Sequence, residues 1–534
     1  MEIISQHTKQ IMERCKERAR EAGLSFDNES LEYIVTNRDM LELAPKGMIP
    51  TLYDYWVNDL EIIKGMKEYE LYPHNAYETV INSRPALSFY NDNNPDWLNV
   101  MIFYHVLAHI DFMQNNNYFR KTWDDDFVGQ ALADKRLISN YRSKHGRWVD
   151  YVIEFTRGID NITGYYKELS ELDKSKPEKT TKIDYFFNIF LQQVKKVKTP
   201  IYLKEIDNYN KIITETEKDK TFDDRKQADT LFILNIKKLY PEFETFYDKY
   251  IKEVKIKPFD LIKYLIENSS FLNNDKNKWM KSVMEIVRNT ALHFEPQRRT
   301  KIINEGWATY WHSELFISDD RIKGHEADFA KINALVTAVP VVGFNPYAIG
   351  SRLFEFIKES AKKGKLSYDF EKIKNIETRK NYNNKTDKGK DQGKDYLFHV
   401  RTNFNDFTFI NSFVNQDFTD KYNLVMVGER INKQRMTKEY YIKSKKAEEY
   451  KEYILSHLIH PPHITVSKEK TKKDVLYLVH HYEGKQLIRE FINNTMIGLE
   501  YLWGKEVQLE THKIKDGKPI KVIYTAKNKK ITEI

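Results

Sequence analysis

His105 and His109, in Tyr104-His105-Val106-Leu107-Ala108-His109, and Glu305, in Asn304-Glu305-Gly306-Trp307-Ala308, are the residue types of a metal site. On a helix, positions i and i+4 differ by about 40° in azimuth and one turn in height, so both imidazoles can face one ion. A glutamate from a second helix can supply the third ligand. His, His and Glu with one open position is the donor set of catalytic zinc in one large group of metallopeptidases. One position departs from that pattern. Those enzymes carry a general-base Glu directly after the first His, and here Val106 stands there.

The helix expected over 296–316 carries Glu305. Pro296 suits its first turn, and Ile302, Ile303, Trp307, Ala308, Tyr310, Trp311 and Leu315 cover nearly the whole circumference, so it should be buried all round. An unpartnered buried carboxylate costs several kcal/mol, so Glu305 must meet a metal, pair with Arg298, Arg299 or Lys301, or hold a proton. Those three basic residues can instead hold an anionic substrate. His312 is seven residues past Glu305, about 10 Å further along the axis, which puts it outside the ligand set, as a proton carrier or a partner of a ligand. His325, in the loop Lys323-Gly324-His325-Glu326, is a candidate fourth ligand or acid/base. The rival reading of His105 and His109 is two hydrogen-bonded core histidines. Asp111 points about 200° from His109 and reads as a cap or surface group. Asn115, Asn116 and Asn117 read as a helix C-terminal turn in left-handed geometry. His460-Pro461-Pro462-His463 and His480-His481 read as turn and edge residues.

Positioning these groups falls to a mainly helical region. Apolar residues recur at helix spacing over 98–112, 148–166, 184–196, 230–240, 258–267, 279–293 and 296–316. The charged stretches 167–182 and 204–225 read as loops or exposed helix. Residues 377–395, containing NYNNKTDKGKDQGKD, are too polar to bury anything and read as a linker. Beyond it, short runs at 396–400, 424–427, 464–466, 475–479 and 520–524 read as strands, alternating with helices at 445–457 and 485–503. The expected architecture is a mainly α N-terminal domain (1–376) with zincin-like metal-site helices, and a smaller C-terminal α+β domain (396–534).

Composition narrows the function. The 534 residues carry 86 basic and 78 acidic side chains, a net charge of +8 that is too diffuse for a dedicated nucleic-acid binder. The single cysteine, Cys15, excludes an intrachain disulfide and a cysteine-based zinc cluster. The N-terminus has no apolar leader segment, and the longest apolar run, 334–344, is broken by Pro340. A cytoplasmic protein is expected. No Gly-rich phosphate loop, serine elbow or kinase signature is present.

Several blocks resemble the stage V sporulation protein R (SpoVR) family: AYETVINSRPALSFY at 76–90, HIDFMQNNNYF at 109–119, HFEPQRRTKIINEGWATYWH at 293–312, NPYAIG at 345–350, VRTNFNDFTFI at 400–410, and LVHHYEGKQL through LEYLWGKEVQLET at 478–511. The block around Asn304-Glu305-Gly306-Trp307-Ala308 is the most specific, and His325 matches a family histidine. Met113-Gln114 and the segment after His145 depart from the family pattern. The resemblance implies a bacterial cytoplasmic protein tied, in spore formers, to building the spore cortex. It also implies a PrkA-type serine kinase and a von Willebrand-type protein as partners. It carries no settled activity. Two functions are consistent with the residues: a zinc-dependent amide hydrolase using His105, His109 and Glu305 with His312 or His325 moving the proton, or a regulatory scaffold with a structural or vestigial metal site. Val106 favours the scaffold.

Overall fold

Helix-spaced apolar residues become helices in the structure, a computed structural model. It describes residues 2–40 except 28 and 38, 78–119, 122, 127–160, 181–216, 222–253, 261–366, 370, 373, 375–383 and 392–533, the last without 433–436, 459–461, 468, 473, 483–485 and 516–517. Helices that build the site and its surroundings are α1 (Gln6–Glu21), α2 (Asp96–Asn115), α3 (Trp148–Asp160), α4 (Lys278–Arg299), α5 (Lys301–Ile317), α6 (Glu326–Val336), α7 (Pro346–Lys362), α8 (Gln392–Asn403), α9 (Asp406–Phe413) and α10 (Arg489–Trp503). The protein is mainly helical, with a small sheet region towards its C-terminus.

The centre of the fold is α2, in which every residue from Leu98 to Met113 is buried. A helix apolar on all sides needs partners all round. Here α1, α5 and α8 supply them, together with a four-stranded sheet that helical patterning alone did not suggest. That sheet has the order β1 (Glu2–Ile3), β2 (Ser30–Val35), β4 (Ala86–Asn91), β3 (Glu78–Ile81), with β2 and β4 parallel and the other pairs antiparallel. Its strands have two to six residues, too few for alternation to stand out from helix-spaced neighbours.

The single helix expected over 296–316 is two helices. Pro296 lies in the last turn of α4, and Thr300, at φ −125° and ψ 21°, breaks the chain before α5 begins at Lys301. Proline removes the N–H that would bond Leu292, and the Thr300 hydroxyl donates instead to the Pro296 carbonyl at 2.8 Å, closing α4. The new N-terminus of α5 is met from outside: the Asp406 carboxylate accepts from Ile302 N (3.0 Å) and Ile303 N (2.9 Å). Asp406 is itself fixed by the Asn405–Thr408 capping box that starts α9.

Helices α5 and α7 cross with backbone on backbone. A Cβ added to Gly306 would lie 2.4 Å from Gly350 Cα, and one added to Gly350 would lie 2.4 Å from the Ile302 carbonyl oxygen. Only glycine at both positions permits this approach, which brings the start of α7 over the middle of α5.

The 396–400 run, expected as a strand, lies in α8. Leu397, Val400 and Phe404 recur at helix spacing and are fully buried in the same core as α2 and α5. A five-residue apolar run does not distinguish strand from helix. Residues 204–216 belong to the helix Thr199–Thr216, whose Tyr202, Leu203, Ile206 and Tyr209 are buried. Of the 377–395 stretch, 377–381 finish a short helix, 392–395 open α8, and 384–391 lie outside the described residues, as do 161–180 and 217–221. Phe409, Phe413, Tyr450 and Ile454 also join the α2 core, so cores and linear order do not divide at the same place.

A second core gathers Val149, Val152 and Ile153 of α3, Met280 to Leu292 of α4, Met496 and Leu499 of α10, and one face of a five-stranded sheet. That sheet runs β11 (Lys530–Glu533), β10 (Lys518–Lys527), β9 (Glu506–Lys515), β8 (Val475–His481), β7 (His463–Val466), and α10 is the crossover between the parallel pair β8 and β9. A separate hairpin, β5 (Met426–Asn432) with β6 (Thr437–Ser444), completes the described strands. No helix among the described residues is long and apolar enough to cross a membrane.

Candidate metal centre

Helix spacing puts His105 and His109 on one face of α2, with ring centroids 4.6 Å apart and Nε2 atoms 3.1 Å apart. Their outer nitrogens are taken by α5: His109 Nδ1 lies 2.9 Å from Asn304 Oδ1, and His105 Nδ1 lies 2.9 Å from His312 Nδ1. His312 Nε2 in turn lies 3.2 Å from Asn333 Oδ1. With the Asn304 and Asn333 amide oxygens facing the rings, these contacts favour one set of tautomers. An amide oxygen only accepts, so His109 Nδ1 and His312 Nε2 carry the protons. His312 then offers a lone pair at Nδ1, to which His105 Nδ1–H donates. In that set both Nε2 atoms present lone pairs to each other at 3.1 Å, an arrangement a shared cation would stabilise; two core histidines would instead share a proton there. Burial, reinforced by His109 and His312, holds His105 well below the usual imidazole range, and burial lowers His312 to about 4, so both rings stay neutral.

Two carboxylates close on the pair. Glu78 Oε1, from β3, lies 3.8 Å from His105 Nε2, and Glu305 Oε2, from α5, lies 3.5 Å from His109 Nε2. Ligand atoms of Glu78, His105 and His109 all lie within 4.8 Å of one another, a group that can hold a metal ion. Two ligands on one tetrahedral zinc sit about 3.3–3.5 Å apart, which the observed separations bracket. Burial, and then the charge of Glu305, raise Glu78 to about 7. Glu305 Oε2 is buried without a hydrogen-bond partner. The Tyr347 phenol, on the first turn of α7, reaches the Glu305 carboxylate and lies parallel to His105 at 6.3 Å; burial and the nearby carboxylates raise its pKa.

The third member of the clustered group is therefore Glu78, which sequence spacing missed, with Glu305 beside it. Glu78 starts a short strand, so no helical period links it to the histidines. The only signal was an acidic residue leading the β-rich run Glu78-Thr79-Val80-Ile81. The Asn304-Glu305-Gly306-Trp307 block becomes legible one residue at a time: Asn304 orients His109, Glu305 faces the histidines, Gly306 admits α7, and Trp307 Nε1 donates to Asp111 Oδ2 at 2.9 Å.

Asp111 is thus neither cap nor surface. It is fully buried, accepts from Ser25 N at 2.7 Å and lies 3.6 Å from Arg401; burial raises it to about 6 against the pull of these partners. Arg298 and Arg299 lie 3.4 and 2.8 Å from Glu295, and Lys301 is exposed. His325 precedes α6, stacks on Trp97 at 5.2 Å and lies 3.7 Å from Asp328; its described contacts do not include the histidine pair. Asn116 caps α2 in extended, not left-handed, geometry and donates to the carbonyls of Arg401 and Phe404. His480 and His481 bond Thr511 and Thr465 within the C-terminal sheet; His460 and Pro461 lie outside the described residues.

Residues 3–460 match the family model described as SpoVR like protein. A protein of Escherichia coli (strain K12) described as "Uncharacterized protein YcgB" is 23% identical over 346 residues, which cover 61% of this chain and 58% of that protein. The match thus spans less than two thirds of the relative's length. No solved structure matches the chain.

Proposed function

This chain belongs to the SpoVR family, and from the site its matched span encloses we propose that it is a divalent-metal-dependent hydrolase of amide bonds. Zinc suits two imidazoles and a carboxylate best. The observation that carries the reading is the pair of histidine Nε2 atoms 3.1 Å apart, flanked by two carboxylates at 3.8 and 3.5 Å. Such an ion supplies a Lewis acid and brings the pKa of a bound water toward about 7.

In this reading Glu78, His105 and His109 hold the ion, α2 serving as the metal helix does in zincins. Glu305 then takes the part that Val106 cannot. Its unpartnered Oε2 accepts the proton of the attacking water, and Tyr347 orients the carboxylate. His312 fixes the tautomer of His105 rather than meeting substrate. Cortex peptidoglycan precursors or a protein are the substrate classes of this reading; the link to the cortex and the kinase and von Willebrand-type partners rest on the family resemblance alone.

The test is metal content and amide hydrolysis in protein purified without a His tag or chelator. About one equivalent of metal is expected in the wild type. Glu78→Gln and His109→Ala lose it, whereas Glu305→Gln and His312→Ala keep it and Glu305→Gln loses hydrolysis. A metal-free wild type removes the reading. Metal loss in Glu305→Gln makes Glu305 a ligand, and full cellular function of a metal-bound Glu305→Gln protein supports the scaffold to which Val106 points.

A further inference from the structure

The five-stranded sheet carries a cavity apart from the histidine pair. Within that sheet β8 and β9 are the one parallel pair, and α10 connects them, so the carboxyl ends of both strands and the start of α10 lie at the same end. In open α/β sheets ligands gather at this place, where a helix start brings the positive end of its dipole to the strand ends. Helix α10 has 15 residues, and among the described residues no side chain caps its start.

The side chains found there follow from the two-residue period of the strands. Val507 and Leu509 of β9 are buried in the core that α10 covers, so Thr511 and Lys513 continue the same face toward the helix start. Tyr524 of β10 stands opposite Leu509 and shares that face. A cavity of about 180 Å³ opens between Thr511, Lys513 and Tyr524 of the sheet and Leu487, Arg489 and Ile492 at the start of the helix. Tyr524 is only 4% exposed, and among the described residues its buried phenol oxygen has no hydrogen bond of normal geometry. Such groups are uncommon in folded proteins and point to a missing partner. The Lys513 ammonium, ion-paired with Glu533, lies 5.2 Å from the centre of the Tyr524 ring and approaches the phenol. Arg489, on the first turn of α10, adds a second positive charge. A phosphate, with three strong acceptor oxygens, can meet the helix start, the guanidinium and the phenol together, which a planar carboxylate cannot. The other wall is apolar, since Leu487 and Ile492 belong to the second core. The volume lies below the roughly 300–1,000 Å³ of sites for drug-sized ligands, so the occupant is small.

We infer that this cavity binds a small phosphate monoester, with the phosphate at the start of α10 among Arg489, Lys513 and Tyr524 and a short carbon chain against Leu487 and Ile492. The inference is independent of the hydrolase reading.

The test is calorimetric titration of the full-length protein with n-propyl phosphate, inorganic phosphate and butyrate. Propyl phosphate should bind with a dissociation constant of roughly 1 mM or below, inorganic phosphate more weakly because it leaves the apolar wall uncovered, and butyrate more weakly still. Tyr524→Phe should weaken propyl phosphate by about tenfold or more, the usual worth of a hydrogen bond to a charged group. Its urea midpoint should not fall, because the hydroxyl has no bond to lose in the free protein. Arg489→Gln should also weaken binding and flatten its dependence on salt. His109→Ala should bind as the wild type does, which separates this cavity from phosphate held by a metal at the histidine pair. No saturable binding of propyl phosphate, butyrate binding as tightly, or loss of binding in His109→Ala would each overturn the site. So would wild-type affinity in Tyr524→Phe. If that variant loses stability along with affinity, Arg489→Gln, at an exposed position, decides: unchanged affinity there overturns the site, and weakened affinity with an unchanged midpoint upholds it.

Discussion

Replacing Gly306 by alanine sets two effects of opposite sign against each other. In a helix interior the change should stabilise by up to about 1 kcal/mol, because alanine restricts the unfolded chain and favours the helix. The packing opposes it. The new Cβ would lie 2.4 Å from Gly350 Cα and carbonyl carbon and 2.9 Å from its oxygen, all of them backbone atoms that no rotamer change can move. Ordinary carbon contacts begin near 3.4 Å, so α5 and α7 must separate by about 1 Å, and such overpacking costs about 1–3 kcal/mol. A net loss of about 1–2 kcal/mol is expected, read as a lower urea midpoint by tryptophan fluorescence, since Trp307 is fully buried next to the change. The separation also draws Tyr347 from Glu305, so under the proposed hydrolase function activity should fall more than metal content, because Glu78, His105 and His109 all lie on other elements. An unchanged or raised midpoint would refute the argument, because it would mean that the two helices part freely.

Asp319→Asn tests how the turn after α5 is fastened to α2. Asp319 takes hydrogen bonds from Tyr104 (2.6 Å) and Arg321 (2.6 and 2.9 Å), which bring its carboxyl to about 2 although burial works to raise it. A folded-state pKa below the unfolded value adds stability that is complete above about pH 4 and is lost as pH falls toward 2. The variant should lose about 2 kcal/mol at pH 7, with the gap to wild type narrowing between about pH 4 and 2 in denaturant titrations; a gap constant over that range would count against the ion pair. Limited trypsin digestion should cut first at Lys385, Lys388 or Lys390, giving pieces of about 385 and 145 residues. Because Leu397, Val400 and Phe404 lie in the α2 core, the pieces should still co-elute on size exclusion; release of the smaller one without denaturant would show that the core divides at the polar stretch.

What could be read from the sequence follows how local each signal was. The i,i+4 spacing of His105 and His109 needs only one helix, and the structure supplies it. The 7-residue offset between Glu305 and His312 likewise kept His312 away from the Nε2 pair, and His312 sits instead against the far nitrogen of His105. Two outcomes depended on non-local partners. The break at Thr300 is stabilised by Asp406, more than a hundred residues later, and the period of 302–316 does not register it. The helical identity of 396–400 depended on which core received Leu397 and Val400.

Glu78 shows why the full candidate ligand set was harder to read than the histidine pair. A strand in a mixed sheet is placed by its register, and Glu78 faces Tyr90 of β4, whose other neighbour β2 lies more than forty residues back along the chain. No spacing from Glu78 to His105 encodes that arrangement. The hydrolase reading nevertheless calls for it. With Val106 in the position after the first histidine, a single glutamate from α5 could be ligand or base but not both. In that reading a second carboxylate resolves the conflict, and a proton or a cation would ease its close approach to the half-buried Glu305. The metal-content comparison of Glu78→Gln with Glu305→Gln decides which carboxylate holds the ion and which is free to take a proton.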